Sequence, residues 1–259
     1  MRCIIPKSVK ILAVTATATK ETLNSVTCRL SMETPVLIGL PPDRINIKYS
    51  VQPCPSLTEF CNQITSELMS KRALTPKTVI FCRSLQNCAN MFAMMKRMLG
   101  SNITEPAGIE AGLQVRLIDV FTAVSTTVMR EMVLEVFRNS STNLRILIAT
   151  TAFGLGVDCP DIERIINWGS PNTLEELVQE TGRGGRDGRQ VDAILYTKKI
   201  GKKVTTGMRE YQDNDKECRR RKLFKHFLFT ESGEQLHLKA CRCCDLCSQL
   251  CHCDKCVKQ

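Results

Sequence analysis

Residues 178–188 read VQETGRGGRDG and set Arg183 and Arg186 three apart among glycines. A guanidinium presents a planar fork of donors that fits phosphate oxygens. Glycine lets the backbone turn sharply and approach a ligand closely. A loop of this make-up suits phosphate, and its arginines could neutralise charge on a transferring phosphoryl group. Gln179 sits just upstream, in the last turn of an expected helix. Two plainer explanations compete. The arginines could lie in solvent on a surface turn, or Arg183-Gly184-Gly185 could be an RGG-type RNA tether. Such tethers come as repeats in disordered tracts. This one is single and wedged between two regular elements, which favours the phosphate.

One unit earlier the chain reads IATTAFGLGVDCPDIERIINWG. Gly154 and Gly156 permit close backbone approach, and Asp158 could accept from a ribose hydroxyl or from an arginine. A tight turn with a capping Asp is the plain alternative. The strongest chemical signal lies further on. Cys241, Cys244 and Cys247 have C-x2-C-x2-C spacing, and Cys218 lies upstream on a basic segment. Four thiolates make a closed tetrahedral zinc site. Cys243, Cys251, His252, Cys253 and Cys256 remain, either for a second zinc or as an unligated tail. The run TATAT (15–19) could relay hydrogen bonds at a strand end or merely satisfy a turn.

The elements that must position these residues follow from the pattern. Val9–Val14 is a short apolar run that predicts a buried strand, and 19–30 predicts a helix. Residues 34–55, with Pro35, Pro41, Pro42, Pro53 and Pro55, predict an extended linker. Ser56 and Glu59 form a capping box ahead of Leu57, Phe60, Cys61, Ile64 and Leu68 on one helical face. TVIFC (78–82), 117–121, RILIAT (145–150), RIINW (164–168) and 193–196 predict strands. Ser84 caps a helix that stops near Gly100, 129–137 has helical spacing, and Asn172 with Glu175 caps the helix that ends at Gly182. The strands are apolar throughout and alternate with helices, which indicates a parallel sheet covered on both faces. Such sheets bind ligands at the carboxyl ends of their strands. That directs attention to the loops after Cys82, Thr150 and Trp168 and to the turn at Gly182.

The chain has 259 residues and 43% hydrophobic content, enough for a substantial core, which makes wholesale disorder a poor description. Net charge is +10. Between Lys198 and Lys225 there are eleven Lys/Arg against four Asp/Glu, so +7 of that +10 sits in one stretch. The concentration points to a nucleic-acid surface rather than an ordinary solvated face. No apolar run is long enough to span a membrane. Lys7 and Lys10 break the apolar N-terminal patch that would otherwise mimic a secretory signal. Eight of the fifteen cysteines crowd into 218–256, while the others are scattered. That distribution suits a metal module in a reducing compartment.

Taken in order, these segments resemble the RecQ-type ATP-dependent DNA helicases of superfamily two. LAVTATAT resembles the third helicase motif, TVIFCRS the fourth, ATTAFGLGVDCPDIERIINWG the fifth and QETGRGGRDG the sixth. ECRRRKLFKHF followed by CRCCDLC resembles the family's zinc module. The resemblance implies an α/β fold. A RecA-like domain with a mostly parallel sheet flanked by helices carries a small helical zinc-binding subdomain. The implied division is 1–33 as the tail of a first RecA-like domain, 34–55 as linker, 56–200 as the second RecA-like domain and 201–259 as the zinc subdomain. It implies Arg186 as the arginine finger with Arg183 in support, or the two exchanged, and a role for Gln179. Asp158, Gly156 and Gly182 would serve nucleotide binding, and Cys218, Cys241, Cys244 and Cys247 would hold zinc. It further implies ATP with Mg²⁺, single-stranded DNA and duplex junctions as partners, 3′-to-5′ unwinding in DNA repair and recombination, and residence in the nucleus, or in the cytoplasm of a prokaryote. A G-x-x-x-x-G-K-[ST] loop and a DEAH-type acidic box are absent from the sequence. The family carries both in its first domain, so the chain reads as incomplete and without ATPase activity of its own. A non-enzymatic zinc-containing nucleic-acid-binding module is the alternative.

Overall fold

The computed structural model describes residues 9–15, 17–108, 112, 115–150, 153, 158–197, 203–228 and 240–251. Six strands form one sheet: β1 (Ile47–Pro53), β2 (Thr78–Cys82), β3 (Ile118–Phe121), β4 (Ile146–Ala149), β5 (Arg164–Trp168) and β6 (Val191–Thr197). Their order is β1-β6-β5-β2-β4-β3 and every pair is parallel. The expected α/β class and covered parallel sheet are therefore present. The central strands β2 and β4 are buried at every residue. Alternate residues feed opposite cores. Ile80, Ile148 and Ile166 face α2 (Leu57–Lys71) and α3 (Leu85–Leu99), while Val79, Leu147 and Ile165 share a core with Val133 and Phe137 of α4 (Thr127–Arg138). A strand buried on both faces has no place for polar residues, hence TVIFC and ILIA.

The helices begin where their caps dictate. The Ser56–Glu59 capping box is complete, with Glu59 N donating to Ser56 Oγ at 3.2 Å and Ser56 N to Glu59 Oε2 at 2.9 Å. Ser84 accepts from Asn87 N and Thr19 from Thr22 N, the latter opening α1 (Lys20–Leu30). For α5 (Leu174–Thr181) the cap is Thr173, accepting from Glu176 N, one residue beyond the expected Asn172 and Glu175. Asn172 contributes its backbone N–H to Glu176 Oε2 at 2.8 Å, so both candidate caps are engaged with one helix end.

Two expectations fail. Residues 9–15 form no strand, and Leu12 and Val14 are 87% and 85% exposed. An apolar run becomes a strand only when another strand takes up its backbone groups, and among the described residues none pairs with it. Conversely, Ile47–Pro53 is not linker. It is the edge strand β1, in register with β6 from Ile47↔Val191 to Pro53↔Thr197. The prolines misled because they sit at the strand's end and beyond it, where no ladder bond is lost.

The remaining helices are α6 (Thr206–Gln212), α7 (Arg219–Phe224), α8 (Ala240–Cys243) and α9 (Asp245–Gln249). They share one core with β1 and β6: Ile47, Tyr49 and Val191 pack with Met208, Tyr211, Leu223 and Phe224. Tyr49 bridges Cys244 in parallel fashion, and Val51 N donates to Asp245 Oδ2 at 3.1 Å. The cysteine module thus covers an open sheet edge that would otherwise offer unpaired backbone groups.

Candidate functional site

The glycine turn follows α5 and leads into β6. Because α5 runs back along the sheet, the turn lies at the amino ends of the strands. Gly185 N donates to Ile162 O at 2.8 Å and Asp187 N to Pro160 O at 3.4 Å, both just ahead of β5. The expectation grouped this turn with the carboxyl-end loops. A parallel helix–strand unit instead returns the chain to the opposite edge.

The glycines are required by packing within the chain. Gly185 has φ +53°, and a Cβ there would come within 2.5 Å of both Arg189 O and Asn46 Nδ2. A Cβ on Gly182 would lie 2.8 Å from Val178 O. Arg44 fills the inside of the turn, donating from Nη1 to Gly182 O (2.8 Å) and Gly184 O (3.0 Å) and from Nη2 to Gly185 O (2.7 Å). Asn46 adds bonds to Gly185 O and Arg189 O at 2.8 and 2.7 Å. The carbonyls of the turn are thereby occupied, and what it presents outward is side chains.

Arg186 donates to Asp158 Oδ1 at 2.6 Å, with the two side chains 38% and 71% exposed. Asp158 therefore accepts from arginine, one of its two expected roles. An ion pair this open contributes about 0–1 kcal/mol and is readily exchanged for another anion. Arg183 is half-buried, and its pKa is lowered from the usual guanidinium value, first by burial and then by the neighbouring charge of Arg186. Arg44 is lowered by the same two causes in the same order. Arg186 is thus held close enough to repel both Arg44 and Arg183. Gly156 lies outside the described residues.

Gln179 is exposed, and its Nε2 donates to Thr17 Oγ1 at 2.9 Å. Thr19 and Thr22 donate their hydroxyls to Glu175 Oε1 at 2.7 and 3.0 Å. Burial alone would raise the Glu175 carboxyl, but these hydroxyls hold it below the usual range. The TATAT segment therefore relays hydrogen bonds into α5. A second network lies one residue on. Arg83, directly after β2, grips Glu180 with both Nη atoms at 3.0 and 2.8 Å, and Asn167 Nδ2 also donates to Glu180. Burial pushes the Glu180 carboxyl up, and Arg83 opposes that shift. Sequence reasoning missed Arg44, Asn46, Arg83 and Glu180. Glu180 and Arg83 lay inside motifs under consideration without being singled out, and nothing in PPDRIN announced Arg44.

The thiol cluster comprises Cys218, Cys243, Cys244 and Cys247, whose sulfurs all lie within 4.8 Å of one another, with Cys218 and Cys243 at 3.4 Å. Tetrahedral zinc–thiolate bonds of about 2.3 Å place sulfurs about 3.8 Å apart, so this set fits one closed zinc site. Three of the expected cysteines, Cys218, Cys244 and Cys247, are in the group, and its fourth member is Cys243 rather than Cys241. Cys243 is buried against the sheet-edge core, whereas Cys241 lies outside the group. The thiols share their protons: hydrogen bonds from Cys218 and Cys243, then from the backbone of Cys247 and Arg219, lower Cys244, while Cys243, by its bonds to Cys218 and Cys244, and Cys247, by burial, are raised. That favours a thiolate at Cys244, the form a metal takes. Cys253 and Cys256 lie outside the described residues.

The expected nucleic-acid stretch is partly internal. Arg219 and Arg220 are 6% and 4% exposed. Arg219 bonds Asp245 at 2.5 Å and Asn214 O at 2.8 Å. Arg220 bonds Asp43, Ile47 O and, at 3.0 Å, Arg44 O. Arg221 remains exposed.

No described helix is long and apolar enough to cross a membrane. Among solved structures the fold is similar to Saccharomyces cerevisiae Dbp5 bound to RNA and ADP BeF3, with TM-score 0.59 and 16% identity over 82% of this chain and 51% of that one. It is also similar to Mycobacterium smegmatis helicase Lhr bound to single-stranded DNA and AMP-PNP, with TM-score 0.51 and 21% identity over 71% and 23% of the respective chains. Among curated proteins, the chain is 26% identical to ATP-dependent DNA helicase Q1 of Pongo abelii, over 90% of this chain and 35% of that protein. It is 27% identical to RecQ-like DNA helicase blm-1 of Caenorhabditis elegans, over 93% and 24%. The chain spans about a third of the length of the first relatives it matches. Residues 59–188, half of the chain, match the helicase conserved C-terminal domain. With that match, the parallel sheet and these relatives together, the chain belongs to the helicase conserved C-terminal domain family and is of the RecQ type.

Proposed function

We propose that the chain supplies the arginine-bearing half of an ATP-dependent, 3′-to-5′ DNA-unwinding enzyme active in repair and recombination in the nucleus. The observation that carries this reading is the gathering of Arg44, Arg183 and Arg186 at one turn, where burial and then the charge of Arg186 lower the other two. Cations packed at the cost of mutual repulsion favour a polyanion, and a nucleoside triphosphate supplies one. The turn's position at the amino ends of its own strands suits this role. In a split site the triphosphate and its Mg²⁺ rest on the phosphate loop and carboxylates of another RecA-like domain. This chain's side chains then reach across to the γ-phosphate. Arg186 would exchange Asp158 for phosphate and act as the finger, and Arg183 would support it. Gln179 would report on the neighbouring domain through Thr17. Zinc at the four thiols would be structural, because no coordination position is left open.

Hydrolysis tests the split. The chain with single-stranded DNA should turn over ATP at a negligible rate, and adding a RecA-like domain that bears a phosphate loop should restore it. Robust turnover by the chain alone contradicts the split site. DNA titrations against salt separate this from a purely nucleic-acid-binding role. On the helicase reading Arg183→Ala and Arg186→Ala leave the salt slope unchanged, whereas phosphate contacts to DNA would reduce it by about one each.

A further inference from the structure

The thiol cluster and the arginine turn are far apart in sequence, yet one unbroken set of bonds joins them. Arg220 lies two residues beyond the ligand candidate Cys218, on the helix that Cys218 opens, and is buried with both Nη atoms bonded inside the protein. It also hydrogen-bonds Cys243 of the cluster. The same guanidinium donates to Asp43 and to Arg44 O, and lies 5.3 Å above the Tyr49 ring. It thus fixes both sides of the Asp43–Arg44 peptide. From that fixed backbone Arg44 reaches the carbonyls of Gly182, Gly184 and Gly185. Those carbonyls flank Arg183 and immediately precede Arg186.

We propose that Arg44 is the positioning residue of the arginine turn, and that the metal-loaded thiol cluster, acting through Arg220, holds Arg44 in place. The two parts form a latch: the module sets the backbone of Arg44, and Arg44 sets the direction of Arg183 and Arg186. Its consequence for catalysis rests on the phosphate reading above, but its mechanics do not. Lysine cannot replace Arg44, because one ammonium cannot span three carbonyls that a planar fork reaches together.

Hydrogen exchange on the zinc-loaded chain tests the latch without any nucleotide. The amides of Gly184, Gly185 and Gly188 are bonded within or beside the turn and report its opening. Those of β2 report global opening. Arg44→Lys should speed exchange in the turn by about tenfold or more while β2 is unchanged. Chelating the metal from the wild-type chain should give the same local acceleration. In the Arg44→Lys chain chelation should add little to the turn, because the path is already cut. Unchanged exchange at the turn in Arg44→Lys overturns the proposal. So does acceleration matched in β2, or a full and additive effect of chelation in the variant. In the completed ATPase, Arg44→Lys should lower kcat by about tenfold to a hundredfold with KM for ATP within about twofold. Faster exchange with unchanged kcat would sink the positioning role while leaving the latch. An intact latch beside a turn indifferent to Arg186→Ala would instead sink the phosphate reading.

Discussion

The chain contains two arginine sets, and they are used in opposite ways. Arg219 and Arg220 stand in the basic run that suggested a nucleic-acid face, yet both are buried, bound to Asp245, Asp43 and backbone carbonyls. Arg183 and Arg186 stand in a turn that could have been mere surface. There Arg44 and Asn46 occupy the carbonyls from inside, and Arg186 keeps only an exposed carboxylate. The difference is made by the acceptors each backbone brings near. A guanidinium surrounded by fixed carbonyls and a largely buried carboxylate is a structural tie. One held by a solvated carboxylate, as Arg186 is, can exchange it for a ligand.

This contrast can be broken experimentally, beginning with its largest expected effect. Arg220→Ala should destabilise the chain by about 3–5 kcal/mol in denaturant titrations, because it breaks a largely buried ion pair with Asp43 together with bonds to Ile47 O and Arg44 O. A loss below about 1 kcal/mol would mean Arg220 is not a tie. Gly185→Ala should cost about 2–3 kcal/mol, since it forces a left-handed residue against Arg189 O and Asn46. Thermal melts that match wild type would show that the turn is looser than its contacts imply. Arg221→Ala, the exposed member of its run, should lower the salt slope of DNA binding by about one and leave stability unchanged. Arg186→Ala should shift folding stability by less than about 0.5 kcal/mol, as befits an exposed pair.

How much was legible in the sequence can be judged from paired segments. TVIFC and VKILAV look alike, but the first is buried in the sheet, whereas the second forms no strand and leaves Leu12 and Val14 exposed. Pairing is a tertiary fact, and a run of apolar residues does not carry it. The linker expected at 34–55 concealed β1 because its prolines outweighed the alternation of IKYSV. Caps were legible where side chain and backbone lie three residues apart, as at Ser56 and Ser84. The cysteine spacing located the module but not all its members, because burial, not spacing, brings Cys243 to the cluster. The glycines were read as room for a ligand. Their need is set by backbone beside the turn, Val178 O and Arg189 O, and by Asn46, Ile165 and Val191 packed against it.

The central claim is that the turn delivers a guanidinium to a phosphate held by another domain. The most direct test is steady-state ATP hydrolysis by the completed enzyme carrying Arg186→Ala, with DNA affinity measured in parallel. The account predicts that kcat falls by about 10³ or more while DNA affinity stays within about twofold. A kcat near wild type, or a fall explained wholly by weaker DNA binding, would contradict it.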